Sequence, residues 1–183
     1  MKKLPSGAKR IVLDALFAAV ALSLFVIELM IPLSVGIPGV KLGLANIVTV
    51  VAVFLLSPVD AAGILYTRIL LGGVFSGQAM ALLYSLAGGT LCFIATLVLK
   101  RFVTEKQIWA VSVIGSLAHN LGQTLVAAAV LRTGAVFLYL PVLFIAGILA
   151  GLFTGVSAQI LVSRLGGVFR ARYENIYGRG NGR

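Results

Sequence analysis

Apolar runs of membrane-spanning length recur along this chain from Ile11 to Val162, broken only by short clusters of proline, glycine, serine and charge. In hydrocarbon every backbone N–H and C=O must find its partner within the protein, so such runs fold as helices gathered into a bundle. Six spans can be drawn, over 11–30, 42–56, 59–75, 78–99, 108–130 and 137–162. The breaks have physical causes. Pro32, Gly36, Pro38 and Gly39 make 31–41 a loop, Ser57-Pro58 and Ser76-Gly77 turn the chain, Lys100 to Lys106 is a charged loop, and Arg132 to Gly134 parts the last two spans. Spans two and three are short, so one of them is expected to tilt little or to be partly re-entrant. With 60% hydrophobic and 11% charged residues among 183, the composition departs from the roughly 25% charge of a soluble domain. A soluble enzyme is excluded.

The expected fold is therefore all-α: a polytopic integral membrane protein of about six transmembrane helices. Residues 1–10 form a basic N-terminus, 11–162 the membrane domain, and 163–183 a basic tail. The first ten residues and the run after them look like a signal sequence, but the run is longer than a secretory core and reads as a retained first helix. With the N-terminus inside, twelve of the fifteen Lys and Arg fall on inner segments, Lys41 and Arg132 fall outside, and Arg68 lies within a span. That bias places both termini in the cytoplasm of a cell membrane. It also accounts for the net charge of +10 as topology anchoring against anionic lipid rather than nucleic-acid binding.

Polar groups inside a membrane must face protein, water or a ligand. Topology puts Glu28 near the outer end of span one, Lys41 and Asn46 at the outer start of span two, and Arg68 near the middle of span three. Tyr84 falls in the outer half of span four, His119 near the middle of span five, and Asn120 and Gln123 further out. Five helices thus bring polar groups between the midplane and the outer surface, whereas the inner half holds little beyond Asp14, Ser112 and Gln159. Such an asymmetry points to a site open to the outside. On span five, Ser112, Ser116, Asn120 and Gln123 recur at spacings of four, four and three along one face, with His119 at its border. They serve either as interhelical glue or as ligand contacts. Arg68 either pairs with Glu28, bonds broken-helix carbonyls around Gly72 and Gly73, or recognises a carboxylate or phosphate. Lys41 either points inward, making the site cationic, or snorkels to the interface.

Small residues mark packing. Gly147, Gly151 and Gly155 form a ridge on span six, and Ala15 and Ala19 a small pair near the inner end of span one. Catalytic signatures are missing: there is no GxxxxGK[ST], HExxH or GxSxG. Asp14 and Asp60 stand far apart in sequence, so no paired-aspartate magnesium site is expected, and no metal cluster. Cys92 is the lone cysteine, which rules out an intrachain disulfide.

The segment Ile37-Pro38-Gly39-Val40-Lys41-Leu42-Gly43-Leu44-Ala45-Asn46-Ile47-Val48-Thr49 resembles the Gx transporter family, also labelled heptaprenyl diphosphate synthase component I. Tyr84-Ser85-Leu86-Ala87-Gly88-Gly89, Ala118-His119-Asn120-Leu121-Gly122-Gln123, and Tyr139-Leu140-Pro141 with the glycine ridge match it as well. The resemblance spans nearly the whole chain. That family is similar to the substrate-binding S-components of energy-coupling factor transporters, six-helix proteins that take up vitamins and related micronutrients. The resemblance implies an S-component-like bundle in which Ala15 and Ala19 match the AxxxA motif that meets a transmembrane T-component carrying two ATPases. It also makes residues 31–41 a lid. Association of the family with flavin- and quinone-linked electron transfer implies a vitamin, flavin or other anionic cofactor as ligand. Prenyl synthases use DDxxD motifs, and this chain has none.

The resulting expectation is a non-enzymatic, monomeric solute-binding subunit. Its ligand would meet Glu28, Lys41, Asn46, Arg68, Tyr84, His119, Asn120 and Gln123, and partner ATPases would supply the energy. The rival is a membrane anchor or assembly partner for isoprenoid, quinone or flavin electron-transfer machinery, with the polar seam as glue.

Overall fold

A computed structural model describes residues 6–30 and 43–177, with side chains over 7–30 and 43–169. Lys41 and the loop 31–41 lie outside the described residues. The described chain is a bundle of six helices: α1 (Ser6–Met30), α2 (Leu44–Leu55), α3 (Pro58–Ser76), α4 (Ala79–Leu99), α5 (Ile108–Leu131) and α6 (Leu140–Tyr177). Five of them are long and apolar enough to cross a membrane. The sixth, α2, has 12 residues and a length of about 18 Å, against a hydrocarbon core of about 30 Å.

Local chemistry sets most of the boundaries. Ser57 caps α3, its Oγ accepting from the Asp60 N–H at 3.2 Å, with Pro58 in the first turn and Asp60 at the positive end of the helix. Gly77 closes α3 in the left-handed region at φ 64°. Ahead of α5, Thr104 and Gln107 make a capping box around a 3-10 turn, Glu105–Gln107. The last span reaches further at both ends than the expected 137–162. A 3-10 turn, Gly134–Tyr139, leads into it, and the apolar helical stretch covers Gly134–Phe169. Helix α6 then runs 38 residues, to Tyr177, where a tail was expected from 163. Its one proline, Pro141, stands in the first turn, where a helix tolerates it, and Phe169 packs edge-on against Phe17 of α1, ring centroids 5.9 Å apart and planes at 88°. At about 57 Å, α6 outruns the membrane core.

Helix α2 is the hub. Its Ala52 and Val53 join Ala18, Ile64, Leu65 and Phe93 in one apolar cluster, and its Ile47, Val50 and Val51 join Ile108, Ala158 and Val162 in another. A short helix buried on all sides cannot satisfy its ends with water. Charges from other helices do so instead. The Gly43 N–H at the N-terminus donates to Glu28 Oε1 at 2.6 Å, and Lys100 Nζ donates to the Val53 carbonyl at 2.5 Å. Each charge has the sign that the helix dipole favours at that end. Burial holds the Lys100 ammonium below its ordinary value of 10.5.

At the end where α1 begins, Arg10 binds Asp60 through Nε at 2.7 Å and through a second guanidinium nitrogen at 2.5 Å. This pins α1 to α3. Asp14 and Asp60, distant in sequence, lie within each other's electrostatic reach and that of Arg10. Sequence separation was thus a poor guide to their spacing. Among the described residues no group of three or more His, Cys, Asp and Glu is placed to hold a metal.

Candidate functional site

In the half of the bundle away from Arg10 and Asp60, the helices leave a cavity that all six line. It offers about 60 Å³ to the centre of a water molecule, room for roughly four to six waters at 10–15 Å³ each. Glu28 and Phe25 reach it from α1, Gly43 and Asn46 from the start of α2, Arg68 from α3 and Ser85 from α4. Ser116, His119, Asn120 and Gln123 come from α5, and Gly147 and Thr154 from α6.

Close helix crossings build these walls. An added Cβ at Gly122 would lie 2.8 Å from the Ala87 carbonyl oxygen, and one at Gly88 would lie 2.9 Å from the His119 carbonyl oxygen. Helices α4 and α5 therefore touch backbone to backbone, which brings Ser85, His119 and Gln123 to one wall. The ridge of α6 does the same against α5. Added Cβ atoms at Gly151 and Gly155 would lie 2.6 Å from the Cα atoms of Val113 and Trp109, and one at Gly147 would lie 2.6 Å from Asn120 Nδ2.

The polar seam of α5 splits between these two neighbours. Ser112 shares a 2.8 Å hydrogen bond with Thr154, and Asn120 Nδ2 donates to the Leu143 carbonyl at 2.5 Å. Both side chains tie α5 to α6. Gln123 instead lies against Gly88 of α4, as the His119 ring does. One polar stripe of α5 thus supplies glue to α6 through Ser112 and Asn120 and wall against α4 through His119 and Gln123.

Arg68 is 7% exposed. Helix α3 is unbroken around Gly72 and Gly73, which removes broken-helix carbonyls as its partners. Glu28 is not within ion-pair distance, and its carboxylate is engaged at Gly43. Among the described residues Arg68 has no hydrogen bond or ion pair, and its Nε is buried without a partner. An arginine at mid-span costs about 2.5–3.5 kcal/mol on insertion scales, and here the cavity wall carries that charge without a hydrogen bond or ion pair among the described residues.

Gly43 shapes the opposite wall. Its φ of +74° is open to glycine at little cost, and this turn directs its N–H at Glu28. Tyr84 is half-buried on α4 and does not line the cavity, whereas its neighbour Ser85 does. Phe25, Ser85 and Thr154 line the cavity without having been singled out for it. Ser85 lies in a motif already quoted and was one residue from the choice made there. Thr154 sits beside the glycine ridge, and Phe25 carried no signal at all. Away from the cavity, Ala15 and Ala19 are both exposed on α1, and Ser23 one turn on extends the stripe.

A sequence model of the family described as heptaprenyl diphosphate synthase component I matches residues 17–161. No curated protein matches the chain, and no solved structure does. The matched stretch contains every residue that lines the cavity, from Phe25 to Thr154, and the chain belongs to the heptaprenyl diphosphate synthase component I family.

Proposed function

We propose that this membrane protein is the solute-binding subunit of a micronutrient or cofactor transporter, taking a small polar or anionic molecule from the outer side. The observation that carries the reading is the cavity itself: a polar pocket reached by six helices inside an apolar bundle. A chain that needed only a membrane anchor gains nothing from desolvating these groups together. The excess of basic residues at the opposite end supports an outward-facing cavity by the positive-inside rule. The sequence holds no phosphate-binding loop, so in this reading ATP hydrolysis falls to partners and the chain acts as the binding subunit. Ala15, Ala19 and Ser23 present an outward stripe of small residues that suits close approach of a partner helix, in line with the resemblance to S-components.

Native mass spectrometry of protein purified gently from its own membranes tests this. A co-purifying small molecule supports the reading. Ala15→Trp with Ala19→Trp should then lose the partner ATPase module and keep the solute. A second reading, membrane partner of a prenyl synthase or redox enzyme, draws on the family description, which names a component of a larger system, and on Ser112 and Asn120 being committed to α6. Arrival without solute but with such an enzyme would favour it.

A further inference from the structure

Only two charged side chains line the cavity among the described residues, Arg68 and Glu28. Their situations differ. Glu28 is held by the Gly43 N–H at 2.6 Å, at the positive end of the α2 dipole. One of its carboxylate oxygens is thereby engaged within the protein. Arg68 is buried to 7% exposure with an unpartnered Nε and no acid within ion-pair distance. The N-terminus of α2, at Gly43 and Asn46, lines the same cavity.

We propose that the cavity is a monoanion site: one carboxylate, or one singly charged phosphodiester, of the solute docks on the Arg68 guanidinium. The inference rests on the solute-binding reading and adds the ligand's chemistry. A guanidinium presents a planar fork of N–H donors that matches two oxygens of such a group. Glu28 sets the limit on charge. Its carboxylate lines the same small space, so a second negative charge on the ligand meets repulsion and a dianion is disfavoured. Volume sets the limit on size. Room for a few waters accommodates an anionic head, and the remainder of the solute extends beyond it. Asn120 has one of its two Nδ2 hydrogens committed to the Leu143 carbonyl, which leaves at most one donor for the solute. Gln123, Asn46, Ser85 and Ser116 remain to orient the neutral part.

Thermal unfolding of the full chain in detergent or nanodiscs, at matched ionic strength, tests the proposal with acetate, dimethyl phosphate, inorganic phosphate above its second ionisation, and acetamide. Acetate or dimethyl phosphate should raise the midpoint dose-dependently, and the stronger of the two identifies the head group. Acetamide, the neutral isostere, should not. Arg68→Gln should weaken the response at least tenfold without lowering the midpoint in the absence of anion, because it removes a buried charge that has no hydrogen bond or ion pair to lose. Arg68→Lys, which keeps the charge and loses the fork, should retain part of it. Glu28→Gln should strengthen anion binding and admit inorganic phosphate. Equal stabilisation by acetamide, an undiminished response in Arg68→Gln, or a collapse of Arg68→Gln before any anion is added would overturn the proposal. A neutral or cationic solute found by native mass spectrometry would overturn the monoanion and leave the solute-binding reading standing. No solute and no response to any probe would overturn both.

Discussion

Replacing Gly155 by alanine should destabilise the bundle, although the same change in most exposed helices is favourable. The added methyl would lie 2.6 Å from the Trp109 Cα, 2.8 Å from the Ser112 Cβ and 2.9 Å from the Trp109 carbonyl oxygen. Carbon atoms in contact prefer 3.5–4.0 Å, so α5 and α6 must part by about 1 Å. Two of the three obstructing atoms are backbone and cannot turn aside. Overpacking of this kind costs about 1–3 kcal/mol. Separation also strains the Ser112–Thr154 hydrogen bond of 2.8 Å, worth about 0.6 kcal/mol between membrane helices. Alanine returns up to about 1 kcal/mol through helix propensity. The net loss is about 0.6–2.6 kcal/mol. Gly167 supplies the control: it lies in the same helix, and an added Cβ there meets nothing within 4 Å. Gly167→Ala should therefore be neutral or stabilising by up to about 1 kcal/mol. Unfolding of both variants in mixed micelles, by heat or by SDS titration, reads the difference. If Gly155→Ala matches or exceeds the wild type, or if both variants move in the same direction, the ridge does not set the distance between α5 and α6.

Glu28→Ala should lower stability by about 1.5–3 kcal/mol, the worth of a hydrogen bond to a charged group, and hydrogen exchange should rise first at the start of α2. Asp60→Asn breaks the contact with a partly exposed Arg10, so thermal unfolding should show a loss of only about 1–3 kcal/mol, below the cost of splitting a fully buried pair. For Lys100, whose proton is held less tightly in the folded than in the unfolded state, the unfolded chain binds more protons as pH approaches 10.5. Stability from this group accordingly rises with pH in that window; melts of wild type and Lys100→Met should diverge there, and convergence would refute the sign. Asn120→Ala should cost about 0.6 kcal/mol in unfolding with solute affinity changed only a few-fold, while Gln123→Ala should weaken the solute and spare stability.

Much of the bundle was legible in the residue pattern because its signals are local. Apolar length, proline and glycine breaks and the Ser57-Pro58 cap each act within a few residues, and helices formed at all six expected places. The end of α6 was not legible, because neither proline nor a capping glycine turn stops it and its continuation leans on a contact between Phe17 and Phe169, 152 residues apart. Position along each span is also local, and Glu28, Asn46, Arg68, His119, Asn120 and Gln123, singled out by it, line one cavity. Helical phase was not legible. Tyr84 and Ser85 differ by one residue and 100°, which decides that Ser85 lines the cavity and Tyr84 does not.

By itself, then, the sequence determined that this chain is an all-α membrane bundle and which residues are too polar to face lipid. Transfer from water to hydrocarbon is a property of each segment alone, so it can be summed along the chain. Only the tertiary structure decided the partners. Glu28 spends its charge on Gly43, Arg10 on Asp60 fifty positions away, and Lys100 on Val53 forty-seven away, while Arg68, more deeply buried than any of the three, has no hydrogen bond or ion pair among the described residues. Pairing depends on which helices cross and at what rotation. The glycines that permit those crossings act through distances of an ångström or less, which no property of a single residue encodes.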